Sequence, residues 1–175
     1  MSAEWVFGRR PFLALAAVLA CVSPAVAGTV AGPTRGAQVI WISDRQPPGA
    51  LQGEMRNKDK TFVPPLLVVP AGSDVRFPND DPFYHSIYSI SPAGPFDIGY
   101  YGTGPGKVVT FSHAGIVEVH CHIHVTMDGT IVVVDGPSVR PTGARFSLPE
   151  IPRGTWILHF WSHRSGEKTT RVTVH

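Results

Sequence analysis

The sequence predicts an all-β fold, a Greek-key sandwich with additional strands at its C-terminal end. Three observations lead there. The apolar residues fall in short β-branched or aromatic runs separated by Gly, Pro, Asn and Asp. The 175 residues include 18 glycines and 17 prolines, ordinary for a turn-rich sandwich and high for a helical protein. No stretch of ten residues or more carries a capped, 3.6-residue apolar period.

Taken in order, the runs are as follows. Residues 1–27 read as a signal peptide: Arg9 and Arg10 precede an apolar run, and Ala25-Val26-Ala27 is a small-x-small cleavage site. The run is too short for a permanent membrane anchor. This predicts a periplasmic or secreted protein with no transmembrane span in the mature chain. Arg9-Arg10-Pro11-Phe12-Leu13 also fits a twin-arginine signal, and Val18-Leu19-Ala20-Cys21 a lipid-attachment site, so the export route stays open between Sec, twin-arginine and lipoprotein.

Residues 37–43 (AQVIWIS) read as the first strand, and 45–60 as an irregular polar loop. Residues 62–70 form an edge strand interrupted by Pro64 and Pro65. Residues 74–78 and 85–91 follow as strands, with 92–106 a glycine- and proline-rich connection. Residues 107–112 and 116–121 suggest a hairpin turning at His113-Ala114-Gly115, and 130–134 completes a unit expected to span 28–136. After Asp135-Gly136-Pro137, residues 144–148, 156–161 and 169–174 make a C-terminal β extension, 137–175.

Composition narrows function by exclusion. The net charge of +2, without a basic stripe, gives no sign of a nucleic-acid partner. The sequence contains no P-loop, dinucleotide fingerprint, paired-carboxylate motif or Ser/His/Asp order, so it is not expected to be an enzyme. Cleavage after Ala27 removes Cys21 and leaves Cys121 as the one thiol. A lone cysteine in an oxidising compartment closes no internal disulfide, and ligation to a metal gives it a role.

Cys121 lies in Val119-His120-Cys121-His122-Ile123-His124-Val125-Thr126-Met127. A thiol, an imidazole and a thioether at C-x2-H-x2-M spacing are soft and borderline donors that suit copper. Strand alternation places Val117, Val119 and Cys121 on one face, with Glu118, His120 and His122 on the other. A blue-copper site needs a second imidazole, and His85, opening a strand after the Asn79-Asp80 turn, is the best candidate. His113 reads as solvated, and His159 and His163, among Trp156, Phe160 and Trp161, as packing or surface residues. His120 and His122 also fit the H-C-H arrangement of a trinuclear cluster, but no further H-x-H pair exists outside this loop.

Phe77-Pro78-Asn79-Asp80 through His85, Tyr88-Ser89-Ile90-Ser91 and Cys121-x2-His124-x2-Met127, with Lys60-Thr61-Phe62-Val63-Pro64, resemble the cupredoxins. The similarity is to the periplasmic proteins labelled "methylamine utilization protein". Residues 143–148 and 154–156 resemble the carboxypeptidase-regulatory-type segment those proteins carry. The resemblance implies a cupredoxin-like sandwich holding one copper ion on His85, Cys121, His124 and Met127. It implies that the Ser86 N–H donates to the Cys121 sulfur and that Asn79 ties the ligand loops together. It further implies electron transfer to a redox partner protein, with copper chaperoning, storage or sensing as the alternative. His122 stands where the family has a small polar residue, and Thr126 where it has an aromatic one.

Overall fold

The computed structural model describes residues 27–43 and 49–175. The signal-peptide reading, with Arg9, Arg10 and Cys21, falls on residues 1–26, outside the described residues. Every regular element among the described residues is a strand: β1 (Gly28–Pro33), β2 (Val39–Ser43), β3 (Gln52–Glu54), β4 (Arg56–Lys58), β5 (Thr61–Val63), β6 (Leu66–Pro70), β7 (Ser73–Asn79), β8 (His85–Ser89), β9 (Phe96–Tyr101), β10 (Gly104–Phe111), β11 (Gly115–Cys121), β12 (Asp128–Val134), β13 (Ser138–Val139), β14 (Arg145–Ile151), β15 (Gly154–Ser162) and β16 (Gly166–Val174). The all-β expectation therefore holds.

The strands form four sheets. One runs β10-β7-β4-β5, with β3 also on β7, and the next β6-β12-β11-β8-β9. These two face each other across a core of Phe62, Val75, Phe77 and Phe111 against Ile87, Val117, Val119, Ile131 and Val133. The other sheets, β13-β2-β15-β16 and β1-β14, enclose a smaller core of Val30, Ile40, Ile42, Phe146, Leu148, Leu158 and Phe160.

Two strands join the halves. β12 reads Asp-Gly-Thr-Ile-Val-Val-Val and is buried on both faces: Ile131 and Val133 enter the large core, while Val132 and Val134 point outward. β2 does the same from the other side, with Ile40 and Ile42 in the small core and Val39 and Trp41 facing β12. Trp161 and Leu66 complete this middle layer. Continuous apolar runs mark strands covered on both faces.

Four expectations need correction. The 45–60 loop contains β3 and β4. Its inward residues are Gly53, Met55 and Asn57 between polar ones, an alternation too weakly apolar to read. The 92–106 connection contains β9, paired among the described residues only with β8, and the start of β10. The 107–121 segment is no hairpin, because β10 pairs with β7 while β11 pairs with β12 and β8, so the turn crosses between sheets. The boundaries 28–136 and 137–175 cut across the pairing, because β1 lies on β14 and β2 on β15. Backbone hydrogen bonds and the Val30, Ile40 and Ile42 side chains thus build the first two strands into the C-terminal sheets.

Gly106 in β10 has φ +68°, and a Cβ there would lie 1.7 Å from the Phe77 carbonyl oxygen. Gly106→Ala is expected to lose at least about 2 kcal/mol of stability, from left-handed strain and displacement of the β7 backbone, read as a lower midpoint in denaturant unfolding.

Candidate metal centre

Cys121 ends β11, and the alternation of that strand turns its side chain inward with Val117 and Val119; all three are buried. Glu118 is exposed and His120 half-buried on the opposite face, as the parity predicts. The backbone then turns through residues 122–127, where the Met127 N–H donates to the His124 carbonyl at 2.9 Å. That turn brings His124 back over the thiol. His85 opens β8, the neighbour of β11, with Cys121 opposite Ile87 in register.

Three donor atoms converge. Cys121 Sγ lies 3.7 Å from His85 Nδ1 and 3.9 Å from His124 Nδ1, and the two Nδ1 atoms are 3.3 Å apart. With metal–nitrogen bonds of about 2.05 Å and metal–sulfur of about 2.3 Å, a trigonal plane needs about 3.6 Å between nitrogens and about 3.8 Å from nitrogen to sulfur. The group fits one metal ion with little movement. It combines two imidazoles with a thiolate, a set that suits copper. Met127 is buried, as a soft donor held in the protein interior would be.

The orientation of His85 has a structural cause. Its Nε2 lies 2.9 Å from Asp81 Oδ2, and an ionised carboxylate only accepts, so Nε2 carries the proton and Nδ1 presents its lone pair to the thiol. Asp81 accepts two further hydrogen bonds, from the Asp59 N–H at 2.7 Å and the Lys60 N–H at 3.1 Å. Asp59 and Lys60 have φ of 52° and 55°, the conformation of a two-residue type I′ turn joining β4 to β5. That turn aims successive N–H groups at one point, a local anion site. Burial pushes the Asp81 carboxyl up, but the N–H groups of Lys60 and Asp59 and the His85 ring outweigh it, and it titrates below its ordinary value.

Phe83 packs near both imidazoles, with ring centroids 5.5 Å from His85 and 5.3 Å from His124, and the Lys60 ammonium sits 5.3 Å above it. Desolvation, followed by the charges of His85 and Lys60, lowers the pKa of His124 and favours its neutral, ligating form.

Two implied links take another form. Asn79 braces the 80–84 loop itself, donating to the Phe83 carbonyl at 2.8 Å and accepting from the Asp81 N–H at 2.9 Å. Ser86 meets the cysteine segment through its carbonyl, which accepts from the His122 N–H at 2.9 Å, and no Ser86 N–H bond to sulfur is found among the described residues. His120 and His122 stay outside the donor group. His120 lies 2.8 Å from Asp128, and His122 lies 3.2 Å from Asp97 while stacked on Tyr88. His113 is exposed. Asp81 was not singled out from the sequence; its signal is a carboxylate four residues before a candidate ligand.

No family model and no curated protein matches the chain. Solved structures do. A purple cupredoxin from Nitrosopumilus maritimus is 25% identical over 46% of this chain and 98% of its own, at a TM-score of 0.41. A variant of amicyanin in its Cu(I) form is 20% identical over 54% of this chain and 97% of its own, at 0.43. A Cu-containing nitrite reductase from Thermus scotoductus SA-01 is 28% identical over 50% of this chain, at 0.44, and the match spans only 25% of that enzyme. These matches cover about half of the chain. The fit to copper described above comes from this chain's own donors.

Asp81→Ala would take the acceptor from the buried His85 ring, freeing it, and from the part-buried N–H groups of Asp59 and Lys60. It is expected to cost about 3 kcal/mol of stability and to weaken metal binding about 10- to 100-fold, measured by denaturant unfolding and competitive metal titration.

Proposed function

We propose that this is an exported, mononuclear type 1 copper protein of cupredoxin type that carries electrons to a partner protein. His85, Cys121 and His124 would be the equatorial ligands and Met127 the weak axial one. The observation that carries the reading is the convergence of two Nδ1 atoms and one Sγ within 3.3–3.9 Å, with one imidazole already locked in its ligating tautomer. A copper ion held there supplies a one-electron couple.

The chain's own residues supply the rest. A donor set fixed before metal arrives keeps reorganisation small, which is what a carrier needs. His124, half-buried, provides the path outward, and Tyr84, Ile123 and Val125 from the two ligand segments are exposed apolar residues. They suit a short-lived contact with a redox partner. No helix among the described residues is long and apolar enough to cross a membrane. The chaperone or storage alternative would recruit His120 and His122 as extra donors. Both are engaged by carboxylates outside the donor group, which favours the carrier.

Adding Cu(II) to the purified protein should give one bound copper per chain and an intense visible thiolate charge-transfer band, absent in Cys121→Ser. Copper uptake without that band contradicts the type 1 reading, and rapid Cu(I) exchange favours the chaperone. Met127→Gln should retain the band and lower the reduction potential, because an oxygen donor stabilises the higher oxidation state more than a thioether does; cyclic voltammetry checks the direction.

A further inference from the structure

A second polar constellation lies in the C-terminal sheet and shares no residue with the metal centre. Ser43 Oγ is 2.6 Å from His159 Nε2, and His159 Nδ1 is 2.5 Å from Glu167 Oε1. The three side chains come from β2, β15 and β16. Both contacts are diagonal cross-strand contacts: Ser43 stands opposite Ile157, and Glu167 opposite Trp161, each two residues from His159 on β15. The His159 ring is stacked on buried Trp41 at 4.5 Å and 11°, which fixes its plane as well as its two hydrogen bonds. Hydroxyl, imidazole and carboxylate therefore stand in the order nucleophile, base and orienting acid. This sequence of contacts is recognised by geometry and not by chain order, which explains why no motif announces it.

We propose that Ser43, His159 and Glu167 form a second, independent site: an activated serine that takes acyl groups from small activated carboxylic esters and passes them to water. Ser43 is half-buried at the end of β2, and the His159 side chain keeps 15% of its surface exposed. Ile157, opposite Ser43, is itself 36% exposed and offers an apolar shelf for a short acyl chain. Trp41 and Trp161 on the same face are buried in the middle layer, so the site lies at the rim of a covered face, which suits small esters with good leaving groups better than a long or branched substrate.

The chemistry balances without a co-reactant other than water. Ser43 Oγ bonds to the ester carbonyl carbon as its proton passes to His159 Nε2, and the Glu167 carboxylate stabilises the imidazolium through Nδ1. The ester C–O bond breaks, and His159 returns the proton to the departing oxygen. Water then attacks the acyl-serine, giving its proton to His159. The carboxylic acid leaves, and the proton returns to Ser43 Oγ.

The test uses the full chain with 4-nitrophenyl acetate, following nitrophenolate release and locating the acetyl group by peptide mass spectrometry. Expected are acetylation of Ser43 and a rate that falls about 100-fold or more in Ser43→Ala and His159→Gln. Glu167→Gln should give a partial loss with an altered pH profile, and His113→Gln no change. Ser43→Ala removes one hydroxyl, and its unfolding midpoint, measured in parallel, verifies that the variant is folded. Acetyl found on lysine or cysteine, an inert chain, an unchanged rate in Ser43→Ala, or equally fast Ser43 acetylation in His159→Gln would each overturn the proposal.

Discussion

A buried carboxylate with three donors around it holds the candidate metal centre in shape. Asp81 lies almost wholly out of water, where an unpaired charge would be costly. It is accommodated because the Asp59–Lys60 turn gives it two backbone N–H groups and His85 a third. The dependence runs both ways. The turn, with two non-glycine residues at positive φ, has its N–H groups satisfied by Asp81, and His85 acquires a fixed tautomer. Removing the carboxylate would therefore disturb β4, β5 and the ligand loop together.

The layering of the molecule supports this arrangement from behind. Cys121 is fixed by β11, whose inward residues are locked between the two five-stranded sheets. The next strand, β12, is buried on both faces and leans on β2 and Trp161. The C-terminal strands are thus more than an appendage: they cover the outer face of a strand that follows the ligand loop directly. A two-sheet sandwich alone would leave Val132 and Val134 facing water.

Much of this was legible in the residues, for physical reasons that can be stated. Alternation with a strong apolar contrast, as in Val117-Glu118-Val119-His120-Cys121, reads correctly, and so does the strand identity of 130–134; His85, Cys121 and His124, singled out by residue type, lie together in the structure. What stayed hidden was long-range or chemically weak. Residues 52–58 alternate, but their inward side chains are Gly53, Met55 and Asn57, so no apolar period appears. The pairing of β1 with β14 and of β2 with β15 joins residues more than a hundred positions apart, and local pattern carries no trace of it. The same holds for Ser43, His159 and Glu167, and for Asp81, whose role depends on a turn some twenty residues earlier.

If His85, Cys121 and His124 bind copper as proposed, the chain sets their donor geometry before any metal is bound. Crystal structures of the metal-free and copper-loaded protein at high resolution test it most directly. The His85 Nδ1–His124 Nδ1, Cys121 Sγ–His85 Nδ1 and Cys121 Sγ–His124 Nδ1 separations are expected to stay within a few tenths of an ångström of 3.3, 3.7 and 3.9 Å in both, with His85 Nε2 held on Asp81. A metal-free structure in which His124 swings out, or in which His85 turns Nδ1 towards Asp81, would contradict it.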